Sequence, residues 1–305
     1  MVSEVSVSAV AAMRARPGFS AAMREQARGV VALFRSNTLL NLLMNDRARA
    51  LFMVVALYLH HHGRADGKPG LTVGALKDLC VRLELCSRGR CEAMLVVLRA
   101  AGYLAPAASD DRRVRVLVPT DTLVALQTER WRAHFDAIEM VVPEVARYRA
   151  LLERPDFVAA LVGALGEPYI AGFRMLHHAP RLFPFVERNG GVAVLFALAL
   201  EGPEEGPFPP TDPVRLSING LSTQFGVSRK HVLTLLRDLE AEGFMRRGPE
   251  PDRVTFLPPL REGLEIMSAT IFVYFVQAGA RALAAVEPAV VEPEARAPAA
   301  DAPAR

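Results

Sequence analysis

The sequence predicts a mainly α-helical chain with small β-hairpins, on three observations. One unit of roughly 140 residues is written twice, apolar residues within each copy recur at helical spacing, and after one glycine per copy the period changes to alternation. RPGFSAAM at 16–23 returns as RPDFVAAL at 154–161, a shift of 138 residues. CSRGRCEAMLVVLRAAGYL, ending at Leu104, returns as VSRKHVLTLLRDLEAEGFM, ending at Met245, a shift of 141. The expected units are 1–150 and 151–286, followed by a Pro-, Ala- and charge-rich tail, 287–305, expected to be disordered.

Each copy opens with two amphipathic runs, Phe19–Phe34 and Leu39–Leu59 in the first, Phe157–Leu176 and Val192–Leu200 in the second. Breakers rich in Gly, Pro and charge follow at 61–70 and 201–213. Thr72 and Ser217 are then placed to N-cap a short helix, Ser87 and Ser228 a second one, and Gly102 and Gly243 to close it. Residues 103–119 and 244–259 each read as two short strands about a polar turn, with Val114, Val116 and Val118 sharing a face. Long helices, Thr120–Glu153 and Leu260–Val286, end the copies.

Composition narrows the function classes. Apolar residues make up 51% and charged residues 23%, as in a packed globular chain. The net charge of +3 does not mark a polyanion binder, but 1–150 carries 21 basic against 14 acidic side chains and 151–305 carries 15 against 19, so a nucleic-acid contact is expected to lean on the first half. Only three basic residues are lysine, Lys68, Lys77 and Lys230, which we assign to genome composition. Three cysteines make no disulfide framework and favour a reducing cytoplasm, and the N-terminus lacks the basic start of a signal peptide. The longest apolar stretch, Ile266–Ala280, is fifteen residues, short for a bilayer, so no membrane partner is expected. Phosphate-cradling glycine loops, zinc-binding His/Glu pairs and nucleophile elbows are missing, so neither catalysis nor a cofactor is expected.

Helix, short helix, turn, capped helix and hairpin is the order of a winged helix-turn-helix, whose second helix enters the major groove. Cys91, Met94, Leu95 and Leu98, matched by Val232, Leu235, Leu236 and Leu239, form its packing stripe. The groove side then begins with Ser87, Arg88, Gly89 and Arg90, matched by Ser228, Arg229, Lys230 and His231, a capped cationic helix start suited to phosphate. Further along, Glu92, Ala93, Val96 and Val97 stand against Leu233, Thr234, Arg237 and Asp238, and the first set is poor in groups that read bases.

The turn Asp111-Arg112-Arg113-Val114, with Pro119-Thr120 opening the next helix, resembles the wing of MarR-like transcriptional regulators over roughly residues 20–150. That resemblance implies Asp111 as a brace, Arg113 with Arg112 as minor-groove contacts, and opening and closing helices that dimerise. The second copy keeps Asp252-Arg253-Val254, so Asp252 and Arg253 stand in the same roles, while Arg246 and Arg247 precede the turn. The resemblance also admits a small apolar effector between the opening helices and the DNA-reading unit. Two units in one chain, where that family has one, imply an internal pseudo-dimer or a homodimer of the whole chain.

Blander readings stand beside these. A basic first turn is also an ordinary solvated helix start. Cys80, Cys86 and Cys91 read as packing, since Cys86 and Cys91 correspond to Val227 and Val232. His60-His61-His62 and His177-His178 read as helix-end residues rather than metal ligands. Phe52, Met53 and Tyr58 read as core. The sequence therefore points to a cytoplasmic regulator that binds double-stranded DNA through Ser87, Arg88, Arg90, Arg112, Arg113, Ser228, Arg229, Lys230 and Arg253. A tandem winged-helix interaction scaffold and a replication initiator are the alternatives.

Overall fold

Hydroxyl side chains start the four short helices on which the chain's outward faces depend. Thr72 accepts from the Ala75 amide at 3.0 Å, Ser217 from Gly220 at 3.1 Å, Ser87 from Arg90 at 3.3 Å and Ser228 from His231 at 3.1 Å. Each cap satisfies an amide that a helix start leaves unpaired, worth about 1 kcal/mol. Gly102 and Gly243 end the second helix of each pair at φ of 75° and 70°, where other residues are strained.

The computed structural model describes residues 5–35, 47–63, 70–109, 111, 113–248, 250 and 252–287. Among them are thirteen α-helices and two small antiparallel sheets. The first part comprises α1 (Val7–Arg14), α2 (Phe19–Arg35), α3 (Arg47–His61), α4 (Val73–Arg82), α5 (Arg88–Ala100), β1 (Leu104–Ala107), β2 (Val116–Pro119), α6 (Asp121–Glu139) and α7 (Val145–Ala150). The second comprises α8 (Pro155–Ile170), α9 (Phe183–Val186), α10 (Gly191–Leu200), β3 (Val214–Arg215), α11 (Ile218–Phe225), α12 (Arg229–Ala241), β4 (Met245–Arg247), β5 (Arg253–Phe256) and α13 (Pro258–Val286). The order from α2 to α6 thus recurs from α8 to α13, with α9 inserted.

Both hairpins are tied to the residues that precede the short helix. β1 and β2 pair from Leu104–Pro119 to Ala107–Val116, and Thr72 bridges to Val116 beside them. In the second copy β5 lies between β4 and β3, pairing Met245 with Phe256 and Val214 with Val254. Each hairpin is therefore braced against the start of the helix pair as well as against its own second strand.

Three expectations change. Val116 and Leu117 are both buried and Val114 lies outside the strand, so the side chains of β2 do not alternate cleanly. The run from Phe157 stops being α-helix at Ile170, where Gly172 turns at φ 107°. The first closing helix is broken between Glu139 and Val145 around Pro143, whereas α13 runs unbroken for 29 residues. With an 18-residue window of mean hydropathy 1.5, α13 is long and apolar enough to cross a membrane, which the fifteen-residue stretch was not, yet half of that window is buried against the rest of the chain. The residues 36–46 at the start of the second amphipathic run, Arg112 and the tail 288–305 lie outside the described residues.

The copies are joined by exchange. α2 packs on α6 of its own copy and on α10 of the other, while α8 packs on α13 and, across the seam, on α3. The α3–α8 approach is close because Gly163 and Gly166 leave room for the rings of His62 and Tyr58, which stack on each other with centroids 5.1 Å apart. Phe52, Phe135, Phe157, Phe196 and Phe272 are fully buried in one contiguous core, each contributing about 1.5–3 kcal/mol by leaving water.

Candidate nucleic-acid interface

The apolar stripes orient the capped helices. Cys91, Leu95 and Leu98 of α5 and Val232, Leu235, Leu236 and Leu239 of α12 are buried, with Met94 half-buried. The opposite faces therefore point outward. Ser87, Arg88, Gly89 and Arg90 are all exposed, as are Ser228, Arg229 and Lys230. Amide groups and the positive end of the helix dipole meet cationic side chains at both places.

The two outer surfaces differ in charge. Arg88 reaches Asp78 at 2.5 Å, and Glu92 is claimed by Lys77 and, at 3.5 Å, by Arg115. On α12, Arg229 and Lys230 make no ion pair among the described residues. Arg237 is 69% exposed and only 3.6 Å from Asp238, which Arg188 already holds at 2.7 Å and keeps below the usual carboxylate range. His231 is anchored instead, its Nε2 lying 2.9 Å from the Asn189 carbonyl oxygen. The whole-chain count favours the first half as the cationic one, but local acids neutralise more of its outward helix.

The hairpin turns differ as well. The Asp111 carboxylate accepts from the backbone N–H of Arg113 at 2.8 Å, so it braces the turn and not the guanidinium. Arg113 is exposed, and Arg112 lies outside the described residues. In the second copy Asp252 is exposed and contributes its carbonyl oxygen, which accepts from Leu216 N at 2.6 Å, while the guanidinium of Arg253 is held by Glu250 at 3.0 Å. Glu250 thus does for Arg253 what was expected of Asp252. Arg247 is held twice by Glu240, at 2.8 and 2.6 Å, and Arg246 beside it is exposed.

Two further groupings lie behind these faces. Cys80, Cys86 and Cys91 gather between α4 and α5, where hydrogen bonding between Cys80 and Cys91 holds the Cys80 thiol above its ordinary range and Cys91 below it. A cavity of about 270 Å³ opens between α2, α6, α10 and α13, lined by Gln26, Arg130, His134, Phe196 and Ile271 among others. Gln26 is 1% exposed and neither amide atom has a hydrogen-bond partner among the described residues. Burial, then the charge of Arg130, pulls the His134 pKa down to about 3, and its Nδ1 is also buried without a hydrogen-bond partner among the described residues. Phe52 and Met53 are fully buried and Tyr58 packs at the seam, as expected of core.

Sequence reasoning placed both helix starts and both turns but passed over Glu92 as a clamp on two cations, Glu250 as the partner of Arg253, and Gln26. The first two had a signal in their charge near a basic residue, whereas Gln26 sits in an amphipathic helix like any polar residue. The chain matches no protein-family model, and no curated protein or solved structure matches it.

Proposed function

We propose that the chain is a DNA-binding transcriptional regulator built from two winged helix-turn-helix units, α4–α5 with β1–β2 and α11–α12 with β3–β5. The observation that carries this reading is the pair of Ser-capped, cation-bearing helix starts, both open to solvent, each in a unit that also carries an exposed hairpin turn. Ser87, Arg88, Arg90, Ser228, Arg229 and Lys230 would position phosphates, and Arg113, with Arg112 and Arg253, would enter the minor groove. Arg88 and Arg253 would exchange an exposed carboxylate for a phosphate at little cost, because such ion pairs are worth about 0–1 kcal/mol.

The reciprocal packing of α2 on α10 and α8 on α3 supports an internal pseudo-dimer. The small effector implied by the MarR-like resemblance would occupy the cavity beside Gln26, and cytoplasmic residence goes with the whole reading. A scaffold is the second reading, favoured by Val96, 62% exposed on the outer face of α5.

Fluorescence anisotropy with a random-sequence duplex across a salt series separates the two. Under the proposal the chain binds, affinity falls with salt, and Arg113→Ala weakens binding and lowers the salt slope by about one. No retention of DNA at physiological salt supports the scaffold instead, and an unchanged slope removes Arg113 from the mechanism.

A further inference from the structure

Position for position, the outward faces of α5 and α12 can be laid over one another by the 141-residue repeat. Gly89 corresponds to Lys230, Glu92 to Leu233, Ala93 to Thr234 and Val96 to Arg237. These four positions follow the i, i+3, i+4, i+7 spacing of one helical stripe, the stripe that a groove-seated helix turns towards base edges. On α5 it offers an absent side chain, a carboxylate already shared by Lys77 and Arg115, a methyl group and an exposed valine. None of these is a free donor, and the carboxylate repels phosphate. On α12 the same stripe offers an ammonium, an exposed leucine, a hydroxyl and the exposed guanidinium of Arg237. Arginine donating two hydrogen bonds to O6 and N7 is the commonest reader of guanine in the major groove.

We infer that the target is an asymmetric duplex, with one half read at a guanine by Arg237 of α12 and the other held through its backbone by α5. This rests on the DNA-binding reading above and adds which copy carries sequence preference and for which base. Two equal units would call for a palindrome. Two units with these stripes call for a site whose information lies on one side.

Selection of bound duplexes from a random-sequence pool by the full chain, followed by affinity measurements on the selected and unselected duplexes, tests it. The expected motif is confined to one half and contains a guanine. Arg237→Ala should erase the preference for that guanine and weaken binding to the selected duplex about tenfold or more. Arg237→Lys keeps the charge but loses the fork, so it should erase the same preference while weakening binding to unselected duplex less than Arg237→Ala does. Both variants alter an exposed side chain and leave the core untouched. A two-fold symmetric motif, binding without enrichment, or a guanine preference that survives Arg237→Ala would each overturn the asymmetry and leave DNA binding standing. Failure to bind any duplex would instead overturn the regulator reading on which it depends.

Discussion

His134 shows how a single buried group writes itself into the behaviour of the chain. Its ring packs against Phe275 with centroids 4.6 Å apart, and burial beside the Arg130 charge lowers its pKa to about 3, against about 6.5 in an unfolded chain. Below about pH 6.5 the unfolded state therefore binds a proton that the folded state refuses, so stability present at neutral pH is lost as pH falls towards 3. His61, lowered to about 4 by partial burial and its histidine neighbours but solvent-exposed, adds a smaller part in the same direction. The midpoint of urea unfolding should fall between pH 7 and pH 5, and His134→Gln should flatten that fall without abolishing it. Equal slopes for the variant and the parent would show that His134 is protonated alike in both states.

Helices and hairpins were the legible scale, because their signals are local. Ser87, Ser228, Gly102 and Gly243 announce boundaries by themselves, and the alternation after each glycine announces strands. What could not be read is which helix faces which. The periodicity of α2 shows that it buries a face, but nothing in it says that the face meets α10 from the other copy. Asp111 was expected to brace an arginine side chain, and its carboxylate accepts from the Arg113 backbone amide instead, since an aspartate reaches a backbone amide two residues on more readily than a guanidinium. The seam itself is testable at Gly166, where an added Cβ would lie 2.3 Å from Cδ2 of Tyr58. Alanine there gains about 1 kcal/mol of helix propensity but overpacks the seam by about 1–3 kcal/mol. Gly166→Ala should lower the chain's stability in denaturant titration, and adding Tyr58→Leu should recover part of the loss. A stabilised single variant would mean that α3 and α8 separate freely.

At the scale of the whole molecule, the repeat in the sequence suggests a division near residue 150, and the packing crosses it. α2 leans on α10 and α3 on α8, and the buried side chains of both copies form one cluster. Melting should then be cooperative across the whole chain, giving one calorimetric transition whose enthalpy equals its van't Hoff value. Two resolved transitions would show that the copies unfold independently.

Two copies of one unit in a single polypeptide also alter what a substitution means. In an association of identical subunits every change is made twice, so a carboxylate on one contact surface must appear on its twin. Here Val96 and Arg237 occupy matched places and are encoded separately. Each surface is free to diverge, while the shared interior keeps the spacing between them constant.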